Sequence, residues 1–282
     1  MKISAGQIIA ITGAGSGIGR ALAVHLAKHG CDVAAADINV EQLAETAEMV
    51  KAEGVSCSTH VVDVANREAV EKYAADVVSE HGGVNMIINN AGVTLIDSVD
   101  KLLYSDFEWI MNINFWGVVY GSKAFMPYLR QADAAHIVNV SSVFGLMSLP
   151  LQSAYNSSKF AVRGFTEALK MELAGSTIGV SCIHPGGIKT SIATNSRIGE
   201  EALSVSKEQM LAVFDRAAIT TAEQTAEAII RGVEKNKRRI LVGKDAAIMD
   251  WVVRHFPNTY ERILGLEKIV RLRAKERNAS KL

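Results

Sequence analysis

The run Tyr155-Asn156-Ser157-Ser158-Lys159 places a phenol and an ammonium four positions apart at the start of a helical stretch. Positions i and i+4 lie one above the other on a helix face, so the lysine can stand near the tyrosine oxygen. A free phenol titrates at about 10, too high for a base near neutrality. A neighbouring ammonium favours the phenolate and brings it toward the working range. Such a pair suits proton transfer to and from an alcohol or carbonyl oxygen. Ser142 stands 13 residues before the tyrosine, directly after an apolar run, where a hydroxyl can face the same oxygen. Tyrosine and lysine at this spacing recur by chance, so the pair has to be weighed with its surroundings.

A second constellation lies near the start of the chain. The apolar run Ile8-Ile9-Ala10-Ile11 leads into Thr12-Gly13-Ala14-Gly15-Ser16-Gly17-Ile18-Gly19, and a helical pattern begins at once. Glycines in a strand-to-helix turn let the backbone bend tightly and let a pyrophosphate approach the amides of the helix N-terminus. Asp37 ends the next apolar run, 18 residues beyond Gly19, and Ile38 follows it with no arginine or lysine alongside. A carboxylate there can accept hydrogen bonds from an adenosine ribose diol and repels a 2′-phosphate, which points to NAD rather than NADP. The bland alternative for Asp37 is a turn residue or helix cap.

These residues need elements to hold them, and the chain supplies an alternation. Short apolar runs at 8–11, 33–36, 61–62, 86–88, 136–140, 179–183 and 239–242 read as strands. Helical patterns fill 40–53, 66–80, about 105–129, 153–174 and 222–235, besides the one after the glycine loop. Repeated strand–helix units of this length imply an α/β fold: a Rossmann-type, doubly wound parallel sheet of about seven strands with helices on both faces. No linker or repeat divides residues 1–282, so one dinucleotide-binding and catalytic domain is expected, with 244–282 as its helical C-terminal extension.

Composition limits the partners. The 282 residues carry 30 basic and 30 acidic side chains, which gives no bulk electrostatic reason to expect nucleic acid. Cys31, Cys57 and Cys182 are scattered and read as buried thiols in a reducing compartment. His25 and His29 share a helix face without an acidic or cysteine ligand beside them, so no metal is expected. No signal peptide or membrane span is read, and a cytoplasmic protein is expected. The terminal Ser280-Lys281-Leu282 would be a peroxisomal address in a eukaryotic source.

Taken together, the motifs resemble the short-chain dehydrogenase/reductase family in its shorter single-domain branch, over residues 5–243. Thr12–Gly19 matches the family's cofactor loop, Asn89-Asn90-Ala91-Gly92 its turn after the fourth strand, and Ser142, Tyr155 and Lys159 its catalytic residues. Asn114 fits the fourth catalytic position, with Asn112 as the alternative. His184-Pro185-Gly186-Gly187-Ile188-Lys189-Thr190 matches the segment that holds the nicotinamide amide. The resemblance implies Tyr155 as general acid/base and Ser142 as the group orienting the substrate oxygen. Lys159 would lower the tyrosine pKa and bind the nicotinamide ribose, and Asn114 would hold a water linking Lys159 to solvent. It implies cofactor contacts from Gly13, Ser16, Gly17, Ile18, Gly19, Asp37, Ile38, Asp63, Val64, Asn90, Ala91, Gly92, Tyr155, Lys159, Ile188 and Thr190. It also implies a homotetramer or homodimer joined through the helices near 105–129 and 153–174.

The function expected is NAD-dependent hydride transfer between nicotinamide and a small alcohol or ketone. The alternatives are an NADP-dependent carbonyl reductase, which Asp37 disfavours, and a non-catalytic NAD-binding regulator, which the full catalytic set disfavours. Phe144, Leu146, Met147, Leu149 and Gln152, with Met210, Leu211 and Phe214, are candidates for the substrate wall and suggest a hydrophobic secondary alcohol. Arg197 or Arg216 could pair a substrate carboxylate. Residues 246–272 hold too many apolar groups for a free tail, Pro257 should split them into two helices, and Arg262–Leu282 has a net charge of +5. Packing on the subunit or a partner subunit is expected for that segment in preference to contact with an anionic membrane.

Overall fold

The structure, a computed structural model, describes residues 1–190, 197–199 and 218–266. The seven expected strands are β1 (Ile8–Thr12), β2 (Asp32–Asp37), β3 (Cys57–Val61), β4 (Met86–Asn89), β6 (Ala135–Val140), β7 (Ile178–Pro185) and β9 (Arg239–Val242). They form one parallel sheet in the order β3-β2-β1-β4-β6-β7-β9. Successive crossovers therefore reverse direction between β1 and β4, and the carboxyl ends of all seven strands lie along one edge.

Both faces of this sheet are covered, which is why its strands are apolar runs rather than alternating ones. Ile9, Ile11, Met86 and Ile88 pack on one face against Leu22 and Leu26 of α1 (Gly17–Ala27) and Ile229 and Val233 of α7 (Ala222–Glu234). Ala10, Ile87 and Ile137 face the other way. There they meet Val77 of α3 (Arg67–His81) and Phe125 of α5 (Gly117–Leu129). α2 (Val40–Lys51) follows β2, and α6 (Ser153–Glu172) leads toward β7.

The single helix expected over 105–129 is instead α4 (Tyr104–Met111), a π-helical turn at Asn112–Trp116, and α5. Its widened ring closes with the Gly117 amide donating to the Asn112 carbonyl. π-turns inside helices re-aim a side chain and recur at functional sites. A further pair of strands was not legible: β5 (Leu95–Ile96) pairs in parallel with β8 (Arg197–Ile198). Two-residue strands leave no periodicity to read.

Past β9, α8 (Lys244–His255) and a one-turn helix (Tyr260–Ile263) flank Pro257, as its missing amide hydrogen requires. Ala246 and Val252 are buried, but Ile248, Trp251, Phe256 and Ile263 stay exposed, so only a narrow face of this segment packs on its own subunit. Residues 267–282, with the basic cluster and Ser280-Lys281-Leu282, lie outside the described residues. No helix among the described residues is long and apolar enough to cross a membrane. Cys31 and Cys182 are buried free thiols and Cys57 is half-buried. Among the described residues no group of His, Cys, Asp or Glu side chains could hold a metal ion.

His136 is a buried titratable group far from the carboxyl edge. Its Nε2 lies 2.9 Å from Ser181 Oγ, whose own hydrogen goes to the Lys237 carbonyl at 2.7 Å. Nε2 is therefore the protonated nitrogen, and Nδ1 is a buried acceptor without a partner among the described residues. Burial holds this imidazole down at about 3. An unfolded histidine near 6.5 takes up a proton that the native ring refuses, so stability falls as pH drops from about 6.5 toward 3. The slope from this one group is at most about 1.4 kcal/mol per pH unit. Thermal melts from pH 7.5 to 4 should show that decline, and His136→Asn should flatten it while lowering the melting point at pH 7.5. An unchanged slope in the variant would assign the acid sensitivity elsewhere.

Candidate functional site

The carboxyl edge of the sheet opens into a cavity of about 530 Å³. β1 supplies its floor through the glycine loop. Gly13 takes φ +66°, and a Cβ there would stand 2.8 Å from the Ala91 Cα, so the two strand ends can approach only without a side chain. Gly19 lies beneath: a Cβ on it would overlap the Gly13 carbonyl. Gly19 thus packs under the loop and does not line the cavity, unlike the other expected cofactor contacts. Asn90 ties the two strands together, its Nδ2 donating to the carbonyls of Thr12 at 3.0 Å and Gly13 at 3.1 Å.

The N-terminus of α1 faces the cavity through Ser16, Gly17 and Ile18. α2, α3 and α7 are capped by the side chains of Asn39, Asn66 and Thr221, whereas Ser16 makes no capping bond and α1 has no acid in its first turn. Free amides and an uncompensated helix dipole remain, which fits an anionic diphosphate. At the end of β2, Asp37 Oδ2 accepts the Gly15 amide at 2.8 Å and Oδ1 the Asn39 amide at 3.0 Å. The carboxylate is thereby aimed into the cavity wall beside Ile38, which is exposed. Asn39 and Gln42 line the same end and were not among the expected contacts. Asp63, Val64, Ala91, Gly92, Ile188 and Thr190 complete the wall.

β6 and α6 bring Ser142, Tyr155 and Lys159 to the same cavity. Of the two adjacent serines, Ser141 donates its hydroxyl to the Lys159 carbonyl at 2.8 Å, while the Ser142 hydroxyl, on the Tyr155 side, accepts the Phe144 amide at 3.1 Å. Asn112 is exposed and Asn114 fully buried, in the middle of the π-turn. Asn114 stands behind the cavity wall: Oδ1 accepts the Val93 amide at 2.8 Å, and Nδ2 donates to the Val93 carbonyl and to Ser158 Oγ, both at 3.0 Å. A Cβ on Gly92 would lie 3.2 Å from Asn114 Oδ1 and 3.3 Å from Lys159 Nζ, so the Gly92 backbone separates the two.

The electrostatics differ from the sequence expectation in one respect. Burial pushes the Tyr155 phenol up, and the hydrogen bond with Ser142 offsets part of that rise. Lys159 Nζ sits 5.7 Å from the tyrosine ring centre and donates to the Val140 carbonyl at 3.1 Å, so desolvation rather than the ammonium dominates. Burial lowers Lys159 itself to about 8, which leaves it mostly cationic at pH 7.

Two supporting residues escaped sequence reading. Ser158 sits within the Tyr155–Lys159 spacing as an unremarkable polar residue, yet joins Asn114 to the Tyr155 carbonyl, which it reaches at 2.7 Å. His184 Nδ1 is 2.9 Å from the Ser142 carbonyl, and burial holds this imidazole at about 4, so the neutral ring donates to the serine backbone. In the sequence His184 stands only as the first residue of the segment matched to the nicotinamide amide, with no role of its own.

Of the residues expected to form a substrate wall, none of Phe144, Leu146, Met147, Leu149 and Gln152 lines the cavity, but Phe144 meets Tyr155 edge-on, with ring centres 6.3 Å apart. Leu146, Met147 and Gln152 are buried, and Gln152 bridges the backbone of Asp97. Arg197 is already engaged: it pairs with Asp106 at 2.8 Å and lies 3.7 Å over the Trp109 ring. Met210, Leu211, Phe214 and Arg216 lie outside the described residues. Because Asn114 satisfies three polar groups at once, the buried Ser158 hydroxyl and both main-chain groups of half-buried Val93, Asn114→Ala should cost roughly 2–4 kcal/mol of stability, measured by denaturant unfolding. A loss below about 0.5 kcal/mol would mean that water replaces the amide fully.

The comparisons agree with this architecture. The family model described as short chain dehydrogenase matches residues 7–201. A relative named "Putative oxidoreductase SadH", from Mycobacterium tuberculosis, is 42% identical over 263 residues, covering 92% of this chain and 94% of that one. A short-chain dehydrogenase/reductase from Burkholderia phymatum, solved in complex with NAD, superposes with a TM-score of 0.83 at 31% identity, covering 90% of this chain and 95% of that chain. Carveol dehydrogenase from Mycobacterium avium, also in complex with NAD, gives a TM-score of 0.74 at 26% identity, covering 87% and 98%. With the glycine loop, the sheet order and the match over residues 7–201, this chain belongs to the short-chain dehydrogenase/reductase family of oxidoreductases.

Proposed function

We propose that the protein is an NAD-dependent oxidoreductase acting on a hydrophobic secondary alcohol or the corresponding ketone. The observation that carries this reading is a single cavity in which the uncapped N-terminus of α1, the Asp37 carboxylate and the Ser142–Tyr155–Lys159 group all meet. The NAD complexes of the Burkholderia and Mycobacterium avium relatives support the cofactor, and the latter's name supports an alcohol as substrate.

In this reading Gly13, Ser16, Gly17 and Ile18 bind the diphosphate, and Asp37 accepts from the adenosine ribose. Asp63 and Val64 lie beside the adenine, and Ile188 and Thr190 hold the nicotinamide end. NAD supplies the hydride acceptor when bound. Ser142 donates a hydrogen bond to the substrate oxygen and fixes it beside Tyr155. Tyr155 accepts the alcohol proton in oxidation and returns it in reduction. The Lys159 ammonium favours the phenolate electrostatically and binds ribose hydroxyls. Asn114 and Ser158 hold the main chain of Val93 and Tyr155, and in this reading Asn114 also orders a water between Lys159 and solvent. The engagement of Arg197 by Asp106 and Trp109 weighs against an anionic substrate. Residues 1–282 act as one domain with 244–282 as its extension. Two or four copies associate through residues 105–129, which span α4, the π-turn and α5, and through α6; Trp116 of the π-turn and Phe160 of α6 are exposed.

Tyr155→Phe should lower kcat by roughly 10²–10⁴-fold in a screen of neutral secondary alcohols with NAD, while NADH binding changes little. Near-native turnover would remove Tyr155 from the proton path. Wild-type protein should favour NAD over NADP by about a hundredfold or more, because a 2′-phosphate meets the Asp37 carboxylate. Asp37→Ser combined with Ile38→Arg should reverse that preference. Equal use of both cofactors by the unmodified protein would reject the assignment.

A further inference from the structure

The loop after β7 is clamped through both peptide units that flank one residue, Gly187. Its Gly187 carbonyl accepts the amides of Ile219 at 3.2 Å and Thr220 at 3.3 Å, and the Lys189 amide returns to the Thr220 carbonyl at 3.0 Å. The Gly187 amide donates in the opposite direction, to Oδ2 of Asp245 at 2.7 Å. Asp245 belongs to the first turn of α8, in the C-terminal extension. An acid in that position commonly serves its own helix dipole. Here the surroundings are shaped around the carboxylate instead. A Cβ on Gly186 would overlap it, and so would a Cβ on Gly243, which also takes φ +100°.

The loop held in this way forms a wall of the cavity through Gly186, Ile188 and Thr190. Sheet order decides which end it serves. β7 neighbours β6, whose end carries Ser142, whereas Asp37 and Asp63 follow β2 and β3 on the far side of β1. Residues 186–190 therefore stand at the reacting end, away from the adenosine end. Thr190 also approaches the glycine loop: a Cβ on Gly17 would lie 3.2 Å from its Cγ2. Movement of this wall would change the space between α1 and Ser142.

We infer that Asp245 is a positioning residue that sets the conformation of residues 186–190, so that the C-terminal extension governs affinity for the nicotinamide half of the cofactor. The inference rests on the NAD reading above. A hydrogen bond to a charged acceptor, made across two elements distant in sequence, holds the loop more firmly than a neutral one. Its loss frees Gly187 to rotate, and a glycine-rich loop resists such rotation least.

The test titrates full-length protein with NADH and, separately, with ADP-ribose, which lacks nicotinamide. Asp245→Ala should weaken NADH binding about tenfold and leave ADP-ribose binding within about twofold. Asp245→Asn, whose amide oxygen can still accept from Gly187, should recover most of the NADH affinity. Equal affinity of Asp245→Ala and wild type for NADH overturns the inference, as does a parallel loss of both ligands, which marks general damage. If Asp245→Ala does not fold, Asp245→Glu, which keeps the charge but displaces the carboxylate, must show the same split between ligands or the inference fails. Wild-type protein that binds ADP-ribose but not NADH would instead overturn the NAD reading itself.

Discussion

The close approach of β1 and β4 at their carboxyl ends is the constraint on which the rest of the site depends. Gly13 can lie against Ala91 because it carries no side chain, and Gly19 can lie beneath Gly13 for the same reason. Asn90 then satisfies the carbonyls of Thr12 and Gly13, which the turn removes from the sheet ladder. This contact sits where successive crossovers change direction, so α1 and the elements after β4 diverge and leave a crevice between them. Larger residues at Gly13 or Gly19 would force the strand ends apart and tilt the N-terminus of α1 away from the cavity.

Around that crevice the polar groups are held from behind by other buried polar groups. Ser142 is fixed through its carbonyl by His184, and its neighbour Ser141 ties β6 to α6 through the Lys159 carbonyl. Asn114 and Ser158 form a continuous bonded path from the Val93 main chain to the Tyr155 carbonyl. Each link connects elements that are distant in sequence. Such networks cost stability when incomplete and give rigidity when satisfied. The π-turn belongs to the same logic: by widening one ring of the α4–α5 helix it turns Asn114 inward, where α4 alone would have left a regular surface.

The region beside Tyr155 is assembled from segments distant in the chain. β5 and β8 pair across about a hundred residues, and Arg197 is tied to Asp106 and Trp109 of α4. The Ser148 amide reaches the Tyr260 hydroxyl at 3.4 Å, which brings the one-turn C-terminal helix beside the segment after Ser142. Asp245 reaches Gly187 from the same extension. Among its described residues the C-terminal segment reaches the rest of the subunit through these polar contacts and the buried Ala246 and Val252, while Ile248, Trp251, Phe256 and Ile263 remain exposed.

What the residues alone determined were features written in local pattern: the parallel α/β sheet from repeated apolar runs, the glycine loop, Asp37 at a strand end, and the Tyr155–Lys159 spacing. Each depends on neighbours within a few positions, through strand burial, backbone permissiveness or helix periodicity. Pro257 likewise marked a helix break because its chemistry is local. The resemblance already favours Ser142 over Ser141 and Asn114 over Asn112; the fold adds that the Ser141 hydroxyl is bonded to the Lys159 carbonyl and that Asn112 is exposed while Asn114 is buried. Tertiary structure decided the rest. The burial that outweighs Lys159 at the Tyr155 phenol, the parts played by His184, Ser158 and Asp245, and the engagement of Arg197 all arise from contacts across the sheet. Their spacings in the chain run up to 91 residues, for Arg197 and Asp106, and no periodicity encodes a pairing of that range. Burial and long-range hydrogen bonding are properties of the assembled molecule, so they became visible only once the strands were set side by side.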